Sequence, residues 1–305
     1  MSRRVRVDAG PVARVYEVVD GRPRPVAVER HGVPVAGRLR DPSLVVDAAP
    51  VSTADLPTVG EPEIEPGDGG LRWRLVHPRR DLHVAVLVSA DRAAGVVRTS
   101  LEVTGRGRLE RVELDHWHRV AARGPRHSRP TGRTNAGAPG LGQPLFHSGL
   151  FTGVEHPGAE NLVAGDQAVC ALPHAAVLDD RPVVTPSVVV GATAPGREID
   201  SFLDYLDGLR PGPPRVVTLV NNWYQLGWPG TMAEDTVVAE LQALAAAAGE
   251  HGARFDAYCL DDAWEGSWDP EAGLWGNLDP GRFPGGLAAL QAAAPAGGGI
   301  GLWMT

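Results

Sequence analysis

Apolar and polar positions alternate in short runs over about the first 190 residues. Such runs recur at 5–7, 13–18, 71–76, 82–88, 96–103 and 109–114. A period of two puts one set of side chains on each face of a pleated strand, so each run predicts a strand with one buried face. Turn residues separate the runs, as at Gly10-Pro11, Gly67-Asp68-Gly69-Gly70 and 105–107. Short strands punctuated in this way predict a mostly antiparallel β-sandwich. Residues 121–144 break the pattern with Gly, Pro, Arg and Asn, and are read as a long exposed loop.

The period changes after Gly191. Ile199, Phe202, Leu203, Leu206 and Leu209 recur at helical spacing, and Pro211-Gly212-Pro213-Pro214 ends the helix. The expected domains are therefore a β-rich sandwich over 1–195, a linking helix with a Pro-rich linker over 196–214, and a third segment over 215–305. In that segment strand and helix alternate. Residues 216–220 form a continuous β-branched and leucine run, which predicts a strand buried on both faces. Thr231-Met232-Ala233-Glu234 fits a capping box, followed by a helix with Val237, Val238, Leu241, Leu244, Ala245 and Ala248 on its apolar face. A second strand is predicted over 255–260, a short helix over 284–294 with Leu287 and Leu290 inward, and a third strand over 300–304. Each strand-plus-helix unit takes about 40 residues, and an eight-unit barrel needs ~250. The pattern is that of the opening of a (β/α)8 TIM barrel, incomplete over these residues: either the units form a small open sheet or, the favoured reading, the chain is the front part of a longer polypeptide.

Composition narrows the chemistry. The 305 residues carry a formal net charge of −8, with 43% hydrophobic and 22% charged residues, which is ordinary for a soluble globular protein. Clustered positive charge is what nucleic acid and anionic membrane select, so neither is an expected partner. There is no lysine, so neither Schiff-base chemistry nor a P-loop lysine is available. The two cysteines, Cys170 and Cys259, are far apart and do not suggest a disulfide framework. The N-terminus lacks the apolar stretch of a leader peptide, and no run approaches the ~20 apolar residues of a membrane span. A cytoplasmic protein is the expectation, and a homo-oligomer is compatible with it.

The residues at the predicted strand ends carry the functional signal. A (β/α) barrel builds its active site at the C-terminal ends of its strands. Strand one ends in Asn221-Asn222-Trp223-Tyr224, strand two in Asp261-Asp262-Ala263-Trp264, and strand three in Leu302-Trp303-Met304. Six of the eight tryptophans lie between Trp223 and Trp303. A sugar ring has an apolar C–H face that packs on an indole and a rim of hydroxyls that seeks fixed acceptors. Taken singly, these residues read more plainly as core tryptophans and loop-capping aspartates. Their recurrence at three successive strand ends favours carbohydrate.

The motifs Asn221-Asn222-Trp223, Leu260-Asp261-Asp262-Ala263-Trp264, residues 278–287 (LDPGRFPGGL) and Gly301-Leu302-Trp303 resemble the barrel opening of α-galactosidase-type glycoside hydrolases, the melibiase-like and raffinose-synthase-like enzymes. The resemblance covers roughly 216–305 and extends more loosely to the β-rich first domain. It implies a retaining glycoside hydrolase or transglycosylase acting on an α-linked terminal sugar, foremost galactose, with an oligosaccharide or glycoside substrate and no cofactor. It further implies that Asp261 and Asp262 bind sugar hydroxyls, that Trp223 and Trp264 wall the pocket, and that Trp303 helps to line it. The Arg282-Phe283-Pro284 stretch is implied to be structural. The family's nucleophile and acid/base belong to later strands, so no catalytic residue is expected here. Adjacent strand residues point to opposite faces, so Asp261 and Asp262 cannot flank one bond as a retaining pair does. Ala263 stands where the family usually has glycine and Thr305 where many members have glutamate, departures that bear on the sugar more than on the barrel. The rival readings are a non-catalytic carbohydrate-binding protein and a related α-glycosidase for another sugar.

Other signals are weaker. His116 and His118 flank Trp117 on one strand and would face one side, but no third metal ligand is evident, so no metal is expected. His147 and His156 could line a crevice, although satisfied structural histidines are the plainer reading. The glycines of 297–301 precede a strand, which is the wrong context for dinucleotide binding. Arg119, Arg123, Arg126, Arg129 and Arg133 read as a solvated basic loop.

Overall fold

A computed structural model describes residues 2–35, 37–65, 69–122, 141–213, 215–226, 232–266, 277–295 and 297–304. Most of the loop read over 121–144 lies outside the described residues, as do Thr231, Thr305 and the arginines of that loop other than Arg119. The chain divides into two compact units, Met1–Arg210 and Pro211–Thr305.

The first unit is layered from antiparallel sheets of four, eight and six strands. Leu82–Asp91 is central to the largest, pairing with Leu71–Val76 on one side and Val96–Gly105 on the other. Gly107–His118 is central to the six-stranded sheet, between Gln167–Leu178 and Ser43–Val46. The alternating runs of the sequence become these strands. In Leu71–Val76, Leu71, Trp73 and Leu75 are buried while Arg72 and Arg74 face outward. Side chains from all three sheets, among them Val7, Val86 and Val112, meet in one apolar core. Each such burial stabilises by roughly 1.5–3 kcal/mol.

One ion pair sits inside this core. The Arg14 guanidinium grips Asp115 through its two terminal nitrogens, Nη1 to Oδ1 at 2.9 Å, with both side chains almost fully buried. A forked pair of this kind meets the need of each charge for a partner out of water. The expected linking helix is α1 (Glu198–Gly208), and it belongs to the first unit. Phe202 and Tyr205 turn inward against Phe146 and Phe151. The Tyr205 hydroxyl donates to Glu155, which also accepts from Arg98 Nε at 2.8 Å.

The second unit carries a three-stranded parallel sheet in the order Leu219–Asn221, Ala257–Leu260, Gly299–Leu302. Helices α2 (Trp223–Leu226), α3 (Glu234–Glu250) and α4 (Gly286–Ala293) alternate with the strands. Val237 and Leu241 of α3 and Leu290 of α4 pack with Tyr258 and Leu260.

Three local expectations are corrected here. The first strand begins at Leu219, and Val216 is 91% exposed where burial on both faces was expected. This strand has a single described neighbour, and its face away from the helices has no described cover. The capping box is replaced by Ala233 at the cap position of α3. The Glu234 carboxylate instead accepts the Gly285 N–H at 2.6 Å, joining the starts of α3 and α4. Leu287, expected inward, is exposed on the first turn of α4, and Leu290 alone fills that place.

Candidate functional site

Strand register sorts the parallel sheet into two faces. Val220, Tyr258, Leu260, Ile300 and Leu302 turn toward the helices and join their core. Leu219, Asn221, Ala257, Cys259, Gly299 and Gly301 share the opposite face. Asp261 continues that second face beyond Leu260 by the same alternation.

Asp261 is held on several sides. Its Oδ2 accepts Asn221 Nδ2 at 2.7 Å, and its Oδ1 accepts the Asp262 N–H at 2.8 Å. Its own N–H donates to Asn222 Oδ1 at 2.8 Å. Asn222 is buried, and its main-chain N–H donates to the Cys259 carbonyl at 3.3 Å. Its carbonyl receives Gln225 and Leu226, so one residue ends the first strand and opens α2. Asn221 Oδ1 takes the Trp223 N–H at 2.9 Å. Asp262 Oδ1 accepts the Ala263 N–H at 2.9 Å, closing the turn after the second strand.

The Cys259 thiol lies on the same face. Burial and then the Asp261 carboxylate push its pKa up, so it stays protonated and is not a ready nucleophile. Beyond the turn, Arg282 donates to the Ala263 carbonyl and to that of Glu265, the latter at 3.0 Å. Asp279 Oδ1 accepts the Gly281 and Arg282 N–H groups, and these bonds, that from Arg282 foremost, hold the Asp279 carboxyl below its ordinary range.

The three tryptophans of the expected pocket part company. Trp223 and Trp303 are each 37% exposed at their strand ends. Trp264 is 1% exposed and packs in the helix-side core with Met232, Phe283 and Leu290. Its Nε1 donates to the Trp303 carbonyl at 2.8 Å. An indole enclosed on both faces cannot also wall a pocket, so the role expected of Trp264 is corrected to packing. Asn221 and Asn222 carry no expected role from the sequence. Two consecutive asparagines at a strand end were the available signal, since Asn side chains readily bond neighbouring main chain.

His116, His147 and His156 make packing or hydrogen-bond contacts within the first unit. His116 bonds Glu113 and Gln167 at 2.7 and 2.8 Å and stacks on His118. His147 is buried against Trp117, with ring centroids 4.6 Å apart. The His156 ring nitrogen Nδ1 accepts the Gly158 N–H at 3.0 Å. Among the described residues no three potential ligands converge on a metal position, and no helix is long and apolar enough to cross a membrane.

No protein-family model matches the sequence, and no curated protein matches it. Solved structures do. An AgaA variant from Geobacillus stearothermophilus, a GH36 α-galactosidase in complex with 1-deoxygalactonojirimycin, is 13% identical with a TM-score of 0.54, covering 99% of this chain and 56% of that one. The GH36 α-galactosidase AgaB from the same organism is 13% identical with a TM-score of 0.53, covering 99% of this chain and 55% of that one. A further AgaA variant, in complex with raffinose, gives 13% identity and a TM-score of 0.53 over 99% of this chain and 56% of that one. At this identity the likeness is one of fold: the chain resembles α-galactosidase-type glycoside hydrolases along nearly its whole length. It spans a little over half the length of the structures it matches.

Proposed function

We propose that this chain forms part of a glycoside hydrolase of the α-galactosidase type, acting on α-linked terminal sugars by a retaining mechanism. The observation that carries the reading is the Asp261 carboxylate, pinned at a parallel-strand end beside the half-exposed Trp223 and Trp303. In this proposal the three parallel strands open a (β/α)8 barrel. The face bearing Leu219, Asn221 and Cys259 becomes its inner wall, where small residues such as Gly299 and Gly301 leave room. Asp261 and Asp262 accept sugar hydroxyls, while Trp223 and Trp303 meet the apolar face of the ring.

A retaining step needs two carboxylates about 5 Å apart across the scissile bond. The proposal assigns that pair to the part of a full-length enzyme that this chain does not span. The role of the present residues is to bind and orient, through fixed acceptors that lose no entropy when the sugar arrives.

Titration of the full-length protein with galactose, glucose and 1-deoxygalactonojirimycin tests the reading. Saturable binding of galactose and the iminosugar, weaker for glucose and lost in Asp261→Ala, is the expected result. Absence of saturable binding overturns it. A carbohydrate-binding protein without turnover would share the binding result, and release of a chromogenic group from an α-galactoside by the full-length protein separates the two.

A further inference from the structure

Asn221 stands between two residues of the proposed sugar site. Its Oδ1 accepts the Trp223 main-chain N–H at 2.9 Å, and its Nδ2 donates to Asp261 Oδ2 at 2.7 Å. A carboxamide has one accepting end and one donating end. Two bonds of opposite polarity therefore set the amide one way round: with the Trp223 N–H at the oxygen, only the nitrogen is left for Asp261. On the far side, Asp261 Oδ1 is taken by the Asp262 N–H at 2.8 Å. Among the described residues each carboxylate oxygen thus receives one donor, and an ionised carboxylate offers about four lone-pair sites in all. Acceptor capacity remains on both oxygens, in a direction that the protein has set.

We infer that Asn221 is a positioning residue that couples Trp223 to Asp261, so that an aromatic surface and a hydroxyl acceptor are presented as one unit. The inference rests on the sugar-site reading for its function, but the coupling itself is a property of this chain. An ionised carboxylate accepts only, so the ligand class it selects carries donors beside an apolar face, as a pyranose with adjacent hydroxyls does. Charge-assisted hydrogen bonds such as that from Asn221 to Asp261 are roughly twice as strong as neutral ones. That strength is what allows one amide to hold a carboxylate against solvent at a strand end.

The test uses the whole chain and two readouts. The first is hydrogen exchange at the Trp223 amide, followed by NMR. The second is the affinity for 1-deoxygalactonojirimycin, followed by calorimetric titration. Asn221→Ala is expected to speed exchange at Trp223 about tenfold and to weaken the iminosugar about tenfold, the weight of one lost hydrogen bond. Asp261→Ala is expected to speed exchange at Trp223 severalfold although it never touches that amide, because Asn221 then loses its second anchor. Asn221→Asp keeps an acceptor for Trp223 while setting a second carboxylate against Asp261. It is expected to keep the protection and lose the affinity, and it replaces Asn221→Ala should the alanine variant fail to fold by circular dichroism. Unchanged exchange at Trp223 in Asp261→Ala overturns the coupling. If the wild-type chain does not bind the iminosugar, the sugar-site reading fails, and the coupling is then decided by exchange alone.

Discussion

The indole nitrogen of Trp264 donates to the main-chain carbonyl of Trp303 at 2.8 Å, tying the turn after the second parallel strand to the end of the third. The two side chains have opposite surroundings. Trp264 is enclosed by Met232, Phe283 and Leu290, whereas Trp303 is partly open to solvent.

This contrast separates stability from binding. Trp264→Ala removes a buried aromatic and a hydrogen bond, and is expected to cost about 3–5 kcal/mol. Trp223→Ala removes a half-exposed ring and is expected to stay within about 0.5 kcal/mol of the wild type. Urea denaturation of the two variants measures the difference. Sugar titration is expected to give the reverse order, with Trp223→Ala folded and impaired.

Ala263 has φ of +78°, in the left-handed region that side chains with a Cβ disfavour. The turn is imposed by the Asp262 carboxylate at the Ala263 N–H and by Arg282 at its carbonyl. Ala263→Gly relieves a cost of about 1–2 kcal/mol, partly offset by the greater freedom of glycine in the unfolded chain. The expected net gain is about 0.5–1 kcal/mol, seen as a higher midpoint in urea. Ala263→Val is expected to lower the midpoint.

His147 gives the first unit a pH dependence of known sign. It is 4% exposed, neither ring nitrogen has a hydrogen-bond partner among the described residues, and burial pushes its pKa down from 6.5 to about 4. The neutral ring is the folded form, so its stabilisation is complete above pH 6.5 and is lost as pH falls toward 4. The loss amounts to about 3 kcal/mol over that interval. His147→Phe is expected to flatten the curve of unfolding free energy against pH between 4 and 6.5. An unchanged slope in that variant would assign the acid sensitivity to other groups.

Arg14 and Asp115 make a further prediction about the first core. Asp115→Ala leaves a guanidinium buried without its counter-ion and is expected to cost about 3–5 kcal/mol. The double variant Arg14→Met, Asp115→Leu removes both charges and is expected to recover most of that loss. Calorimetric melting of single and double variants reads the coupling between the two sites.

Much of the fold was legible in the chain. The runs beginning at Leu71, Leu82 and Val96 become strands with those same first residues, because a period of two has one structural meaning when turn residues bound it. The helical spacing of Val237, Leu241 and Leu244 likewise marks the buried face of α3. The residues of the site were also visible, as asparagine, aspartate and tryptophan at three strand ends. Their roles were not. Alternation separates two faces of a strand but does not say which face other elements cover, so the exposure of Val216 and the enclosure of Trp264 could not be read from it. Glu234 suits a capping box by local rule, yet its carboxylate is taken by Gly285, 51 residues away in the chain. Asn221 and Asp261 are 40 residues apart, and their bond exists only because strand pairing sets Asn221 beside Cys259. Local chemistry and periodicity thus determined the elements and the residue types at their ends. Tertiary structure alone decided which side chains meet, since a hydrogen bond of less than 3 Å depends on the register between strands, which a pattern within one strand does not contain.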